Sequence, residues 1–374
     1  MTNGSGKIRL LVFIHDLAPF GAQRVALNTV KYLNKDRFQV SVCSFWGDET
    51  LAPEFSACGA EVLFLRARRF LDPAAWVRLV RLLLRLRPHI VQTNMPELSL
   101  PVRLLGPFLS GFKILHAVEN PLHSEPWYWR LLNRATFLLC SRVVFCSESI
   151  AAVAGFRTGG PGERLRVVQN GIDLHGAPTK GREGARALLG ISDAEKVACC
   201  LARLARQKGQ DVLIKAAALL IKRGRRLRVL LAGDGEDLPE LRLLAAGLGV
   251  EKEVSFLGRC SDVGEVLAAS DVYAAPSRWE GLGLSLGEAM LAGVPCVGTA
   301  IPGHADILKD GVTGLTVPPE DSEALAAGIA RLLDDGALAS ALAQRAGALI
   351  RTDFTAEAMA GKYEKIYLEI AGKA

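Results

Sequence analysis

Short runs of β-branched and apolar residues alternate with longer stretches of helical periodicity along the whole of this 374-residue chain. That alternation is the rhythm of βαβ units, in which helical crossovers make the strands parallel. In the first half it predicts strands at Ile8 to His15, Gln39 to Phe45, Ala60 to Leu65, Ile90 to Thr93, Lys113 to Ala117, Arg142 to Ser147 and Leu165 to Gln169. In the second half the expected strands are Lys196 to Leu201, Arg228 to Ala232, Val254 to Leu257, Val272 to Ala275, Pro295 to Thr299 and Gly314 to Val317. The length exceeds one ordinary core, so the expected fold is α/β, with two doubly wound, Rossmann-like parallel-sheet domains. Asn170-Gly171 opens a turn, and the stretch from there to Gly190 is rich in Gly, Pro and charge, as a linker would be. The expected domains are residues 1–175 and 176–355, with 356–374 forming a helix that crosses back to the first. Ligands bind at the carboxyl ends of parallel strands, so two facing sheets of this kind imply a cleft able to exclude water.

Half of the residues are hydrophobic. No apolar run approaches the roughly 18 residues of a membrane span; Lys215, for example, interrupts Leu213 to Ile221. Leu10 to Ile14, after Lys7 and Arg9, reads as a buried strand and not as a signal peptide, which leads to the expectation of a cytosolic protein. The eight cysteines, at 43, 58, 140, 146, 199, 200, 260 and 296, show no Cys-x-x-Cys pair and no histidine at ligand spacing. They read as buried thiols in a reducing compartment, with neither zinc site nor disulfide.

Charge is uneven. Up to Asp173 there are 21 Lys and Arg against 13 Asp and Glu, whereas the remainder has 24 against 26. Much of the excess lies in Arg66, Arg68, Arg69, Arg78, Arg81, Arg85 and Arg87, around a segment with Trp76, Leu79, Leu83 and Leu86 at helical spacing. A sheet-covering helix with a solvated arginine face accounts for this, and a membrane-binding surface is the alternative. No aromatic-interleaved basic motif or zinc finger points to nucleic acid.

Two carboxylates bracket the run Glu280-Gly281-Leu282-Gly283-Leu284-Ser285-Leu286-Gly287-Glu288, ahead of a helix that stops at Gly293 before Pro295. This places Glu280 in a glycine-bearing loop and Glu288 in the first helical turn, where backbone N–H groups and the helix dipole favour an anion. Carboxylates beside such a pocket suit hydroxyl groups, and a nucleotide sugar presents hydroxyls on both sides of its phosphates. The same residues, Ser285-Leu286-Gly287-Glu288, also spell a capping box. Elsewhere, Arg203 and Lys208 follow the strand ending at Leu201 and precede Gly209 and a helix, a placement suited to gripping a diphosphate. Gly21, in Phe20-Gly21-Ala22-Gln23-Arg24, opens a helix after the first strand and would let backbone approach a phosphate, or serve a tight turn.

Together these elements resemble the retaining glycosyltransferase family 4, whose members have the GT-B architecture of two facing Rossmann-like domains. The resemblance covers nearly the whole chain, through Gly21 to Arg24, Asn170 to Asp173, Arg203 to Gly209, Ala232 to Gly235, Ser270 to Val272, the Glu280/Glu288 pair and Asp310 to Leu315. The acidic pair with its seven intervening residues is the most specific of them. It implies that Arg203 and Lys208 hold the donor diphosphate, that Glu288 accepts ribose hydroxyls, and that Glu280 with the amides of Gly281, Leu282, Gly283 and Leu284 contacts the donor sugar. Ser285 stands in the same segment, and Leu257-Gly258-Arg259 resembles the part that lines the nucleobase. There is no Asp-x-Asp triad, in keeping with a family that meets the phosphates with arginine, lysine and helix N-termini, so no metal is expected to be essential and no cofactor is implied.

The sequence departs from the family pattern at two places. Phe20 stands where many relatives have the first of two glycines, and Glu119 matches best the position of a histidine that meets the sugar or acceptor. His116 lies three residues earlier, and strand alternation leaves open which of the two faces a cleft. His123, near Trp127 and Trp129, falls in what reads as a loop, either acceptor-binding or ordinary.

The resemblance implies transfer of a hexose from a UDP-, GDP- or ADP-sugar to an acceptor hydroxyl with retained anomeric configuration. The basic, tryptophan-bearing first half suggests a saccharide or lipid-linked acceptor at an anionic membrane surface, on the inner face of the cytoplasmic membrane. A nucleotide-sugar epimerase of the same architecture and a non-catalytic nucleotide-sugar-binding protein are the alternatives.

Overall fold

A computed structural model describes residues 6–70, 72–109, 111–121, 126–154, 164–173, 181–260 and 262–373. His123 and much of the linker therefore lie outside the described residues. The chain divides into two compact units, Met1–Gly171 with Ala356–Ala374, and Ile172–Thr355.

The first unit runs β1 (Ile8–Ile14), α1 (Gly21–Tyr32), β2 (Phe38–Ser44), α2 (Ala52–Ala57), β3 (Glu61–Phe64), α3 (Pro73–Leu86) and β4 (Ile90–Thr93). It continues through α4 (Pro96–Leu105), β5 (Lys113–Val118), α5 (Trp127–Thr136), β6 (Arg142–Phe145), α6 (Glu148–Val153) and β7 (Leu165–Val167). The seven strands are ordered β3-β2-β1-β4-β5-β6-β7, and every pairing is parallel. Strand order reverses direction between β1 and β4, the arrangement of a doubly wound sheet.

The second unit comprises α7 (Gly181–Leu188), β8 (Lys196–Leu201), α8 (Gln210–Lys222), β9 (Leu227–Ala232), α9 (Leu238–Gly247), β10 (Val254–Gly258), α10 (Val263–Ala269) and β11 (Val272–Ala275). Then come α11 (Leu284–Leu291), β12 (Cys296–Thr299), α12 (Pro302–Ala305), β13 (Leu315–Val317), α13 (Ser322–Asp334) and α14 (Gly336–Asp353). Its sheet is β10-β9-β8-β11-β12-β13, again parallel throughout. Successive residues of β8 serve opposite cores: Ala198 and Cys200 pack on one face, Val197, Cys199 and Leu201 on the other. Burial on both faces is why this strand reads as an unbroken apolar run.

The last helix, α15 (Ala356–Ile370), belongs to the first unit. It packs on α1, burying Tyr363 and Tyr367; Tyr367 meets Phe38 edge-on with ring centroids 5.8 Å apart, and its hydroxyl donates to Gln92 Oε1. Arg37 pairs with Glu364, and Arg142 and Arg166 reach Glu369.

The arginine-rich segment forms α3, whose Ala75, Leu79, Leu82 and Leu83 are buried while its arginines face solvent. Arg66, Arg78 and Arg85 lie beside Glu49, Asp72 and Glu61. Trp127 and Trp129, near which His123 reads as loop, lie on the helix α5.

Candidate active site

The switch point of the second sheet lies between β8 and β11, where the loops leaving two adjacent strands diverge and leave a crevice. The loop after β8 tightens into a 3-10 turn, Arg206–Lys208, and ends at Gly209 with φ 66°. A Cβ at Gly209 would lie 2.1 Å from the Pro276 carbonyl oxygen, so only glycine lets this loop close on the one after β11. The contact is reinforced by Arg278. Its N–H donates to the Gln207 carbonyl, its guanidinium donates to both oxygens of Asp211 at 3.0 Å and to Glu320 at 2.7 Å.

Between the clamped loops, Lys208 Nζ stands 2.6 Å from Glu280 Oε1. Ser277 donates to the same oxygen at 2.8 Å. Burial pushes the Glu280 carboxyl up, but the Lys208 ammonium and these hydrogen bonds outweigh it and hold the group below its ordinary value. Among the described residues, the second oxygen has no hydrogen-bond partner. It is therefore an ionised acceptor within a cavity walled by Lys208, Tyr273, Ser277, Ser285 and His304.

The first turn of α11, from Gly283 to Leu286, forms a further wall. Its N–H groups have no carbonyl one turn back to bond, and the positive end of the helix dipole lies there. The helix does not begin as a capping box. Gly283, at φ 80°, is the N-cap, and no side chain caps it. Ser285 thus falls inside the helix, and Glu288 sits in the second turn, half-buried and outside the cavity walls.

The reason for the left-handed start is His304, which the sequence did not single out. A Cβ on Gly283 would come within 2.9 Å of the His304 ring. The ring is buried, and burial pushes its pKa below the ordinary value, so it is neutral. Its Nδ1 lies 3.0 Å from the Thr299 carbonyl oxygen. A carbonyl only accepts, so Nδ1 carries the proton and Nε2 is left as an acceptor on the cavity wall. A lone histidine after Ile301-Pro302-Gly303 has no spacing that could have flagged it.

The other expected donor residues are placed less tightly. Arg203 is about half exposed, 3.9 Å from Glu236, and Arg259, at the end of β10, is 3.8 Å from Asp234. Both occupy carboxyl ends of strands, the binding edge of such a sheet, but neither lines the cavity.

In the first unit, Glu119 follows β5 and is buried. It accepts from Asn94 at 3.1 Å and Asn170 at 2.8 Å, which ties together the segments after β4, β5 and β7. Burial raises its pKa despite these bonds. His116 is buried in the core, with Nδ1 3.2 Å from both Thr93 Oγ1 and the Thr93 carbonyl oxygen. Its ring lies against Phe137, and burial, together with the Arg103 charge, keeps it neutral. Gly21 is the exposed first residue of α1, preceded by Phe20 in extended conformation.

Residues 20–175 match the family described as Glycosyltransferase Family 4, and residues 182–348 match Glycosyl transferases group 1. The chain belongs to glycosyltransferase family 4. Among curated relatives of this family 4 chain, the N-acetyl-alpha-D-glucosaminyl L-malate synthase of Bacillus anthracis is 30% identical over 56% of this chain and 55% of its own. The lipopolysaccharide core biosynthesis mannosyltransferase LpsB of Rhizobium meliloti is 30% identical over 53% of this chain and 62% of its own. The chain thus spans about half the length of the curated relatives it matches. Among solved structures, Anabaena HepE in complex with UDP and glucose superposes with a TM-score of 0.82 at 23% identity, covering 97% of this chain and all of that one. At that identity the likeness is one of fold. HepE shares with this chain an architecture of two Rossmann-like parallel sheets.

Proposed function

We propose that the protein transfers a hexose from a nucleotide diphosphate sugar to an acceptor hydroxyl, with retention at the anomeric carbon. The observation that carries this reading is the Lys208–Glu280 pair at the β8/β11 switch point, set against the open first turn of α11. The pair divides the labour of holding a donor. Lys208 and the α11 amides offer positive charge to the departing diphosphate, and the open oxygen of Glu280 accepts a sugar hydroxyl. Preorganised donors aimed at developing negative charge supply the largest catalytic contribution in such a site. An oxygen of the leaving diphosphate takes the proton of the incoming hydroxyl, so the reaction asks for no separate base and no metal. Arg203 and Arg259, on the same edge of the sheet, reach the phosphates and base in this scheme, and Glu288 the ribose.

The ligand class is supported by the fold relative HepE, solved with UDP-glucose. A saccharide or lipid-linked acceptor is supported by the Rhizobium relative named for lipopolysaccharide core synthesis. The test is a thermal-shift screen of UDP-, GDP- and ADP-sugars followed by NMR of the product. Stabilisation by one donor, growing as RT ln(1 + [L]/Kd), and an axial-to-axial or equatorial-to-equatorial transfer are expected. Epimer released without acceptor would instead indicate an epimerase. Stabilisation without turnover for any acceptor would indicate a binding protein.

A further inference from the structure

One residue of the second unit holds a backbone conformation that suits it badly. Glu320 has φ 63°, and among the described residues of that unit it is the one non-glycine residue in the left-handed region. The turn from β13 into α13 puts the reversal there. Pro318 and Pro319 have φ fixed at about −65° by their rings, and Asp321, at φ −100°, is committed to capping α13, accepting from the Ala324 N–H at 2.9 Å. Left-handed backbone brings a Cβ against the following carbonyl oxygen, which biases the folding equilibrium against any residue but glycine by roughly tenfold. Glycine at 320 would remove that bias. The reason for a side chain at this position therefore lies in what it touches.

It touches Arg278. Glu320 Oε1 accepts from Arg278 Nε at 2.7 Å, while the two Nη atoms reach Asp211 at 3.0 Å each. Held between two carboxylates, the guanidinium also donates from Nη1 to the Arg206 carbonyl at 2.7 Å. The Arg278 backbone N–H donates to the Gln207 carbonyl at 2.8 Å, and Gln207 Nε2 donates to the Trp279 carbonyl at 3.0 Å. These bonds grip the 3-10 turn whose last residue is Lys208. As a stabilising contact the Glu320 pair is weak: its side chain is 62% exposed, and an exposed pair shifts the folding equilibrium by about fivefold at most, less than the backbone opposes it. Stability does not explain the residue, and its place behind the Lys208 turn does. We propose that Glu320 is a positioning residue for the donor site, fixing the Arg278 guanidinium and through it holding Lys208 on Glu280. That Lys208 meets a donor rests on the proposed function; the tether does not.

Two readouts on the full chain test this. The rate of reductive methylation of Lys208, followed by mass spectrometry, reports its hold on Glu280 without any donor, and kcat with the best-stabilising nucleotide sugar reports the consequence. Glu320→Gly removes the tether and the backbone bias together. It is expected to methylate at Lys208 about threefold faster and to lower kcat about fivefold, less than loss of Arg278 itself because Asp211 still holds the fork, at a melting temperature no lower than that of wild type. Glu320→Gln keeps an accepting oxygen for Arg278 Nε and should return both rates close to wild type. Unchanged Lys208 methylation in Glu320→Gly, a melting temperature that falls together with its kcat, or the same change in Glu320→Gln as in Glu320→Gly overturns the proposal. If wild type turns over no nucleotide sugar, the proposed reaction falls and the methylation rates alone decide the tether.

Discussion

Lys208 and Glu280 are 72 residues apart in the chain and 2.6 Å apart in space. Two loops from neighbouring strands bring them together, and Gly209 allows those loops to touch. The arrangement holds a cation and an anion side by side with one carboxylate oxygen left for a ligand.

The pair is largely buried, with side chains 23% and 10% exposed, so removing one partner should cost more than the pair contributes. Lys208→Met leaves Glu280 with Ser277 alone and is expected to destabilise by about 3 kcal/mol in denaturant unfolding. Glu280→Gln leaves the better-solvated Lys208 and should cost less. The double variant should recover most of the stability and none of the turnover, a separation that a purely structural pair would not show.

His304 offers Nε2 to the cavity and should read a hydroxyl of the donor sugar. His304→Asn is expected to weaken nucleotide-sugar binding about tenfold, the worth of one hydrogen bond, while leaving nucleoside diphosphate binding unchanged. Calorimetric titration of both ligands decides this; equal loss for the two would reduce His304 to a support for Gly283.

Stability should fall on mild acidification. His116 and His304 have folded pKa values below the ordinary 6.5. Below that value the unfolded chain binds protons the native state refuses, so stability is present above about pH 6.5 and declines as pH falls. Glu119 acts oppositely, its raised pKa favouring the native state at low pH and costing stability as pH rises through the folded value. Melting temperatures across pH 5 to 8 should therefore slope upward, with His304→Asn flattening the slope and Glu119→Gln steepening it. An unchanged slope in His304→Asn would mean that the ring titrates normally.

The strand pattern was legible because burial on both faces of a parallel sheet leaves short, nearly unbroken apolar runs, as in Val197 to Leu201. The strand order was not, since crossovers leave no mark in local sequence. Ser285 and Glu288 spelled a cap, yet the contact between Gly283 and His304, two segments apart, starts the helix earlier. His116 and Glu119 could not be separated by alternation near a strand end, and both are buried and hydrogen-bonded, His116 to Thr93 and Glu119 to Asn94 and Asn170.

Arg278 touches no ligand in this account and holds both loops. Arg278→Ala should cost about 2 kcal/mol of stability and, by letting Lys208 drift from its position, lower kcat on the order of 10²-fold. Steady-state kinetics with the Lys208 and Glu280 side chains intact would show it; an unaltered kcat would mean the loops keep their place without the clamp.

The central claim is that Lys208 and Glu280 form the donor site. Calorimetric titration of the best-stabilising nucleotide sugar into wild type, Lys208→Met and Glu280→Gln tests it most directly. Wild type should bind, Lys208→Met should lose on the order of 10²-fold in affinity for both the nucleotide sugar and its nucleoside diphosphate, as expected for a lost charged contact, and Glu280→Gln should lose affinity only for the sugar-bearing ligand. Wild-type affinity in a folded Lys208→Met protein would contradict it.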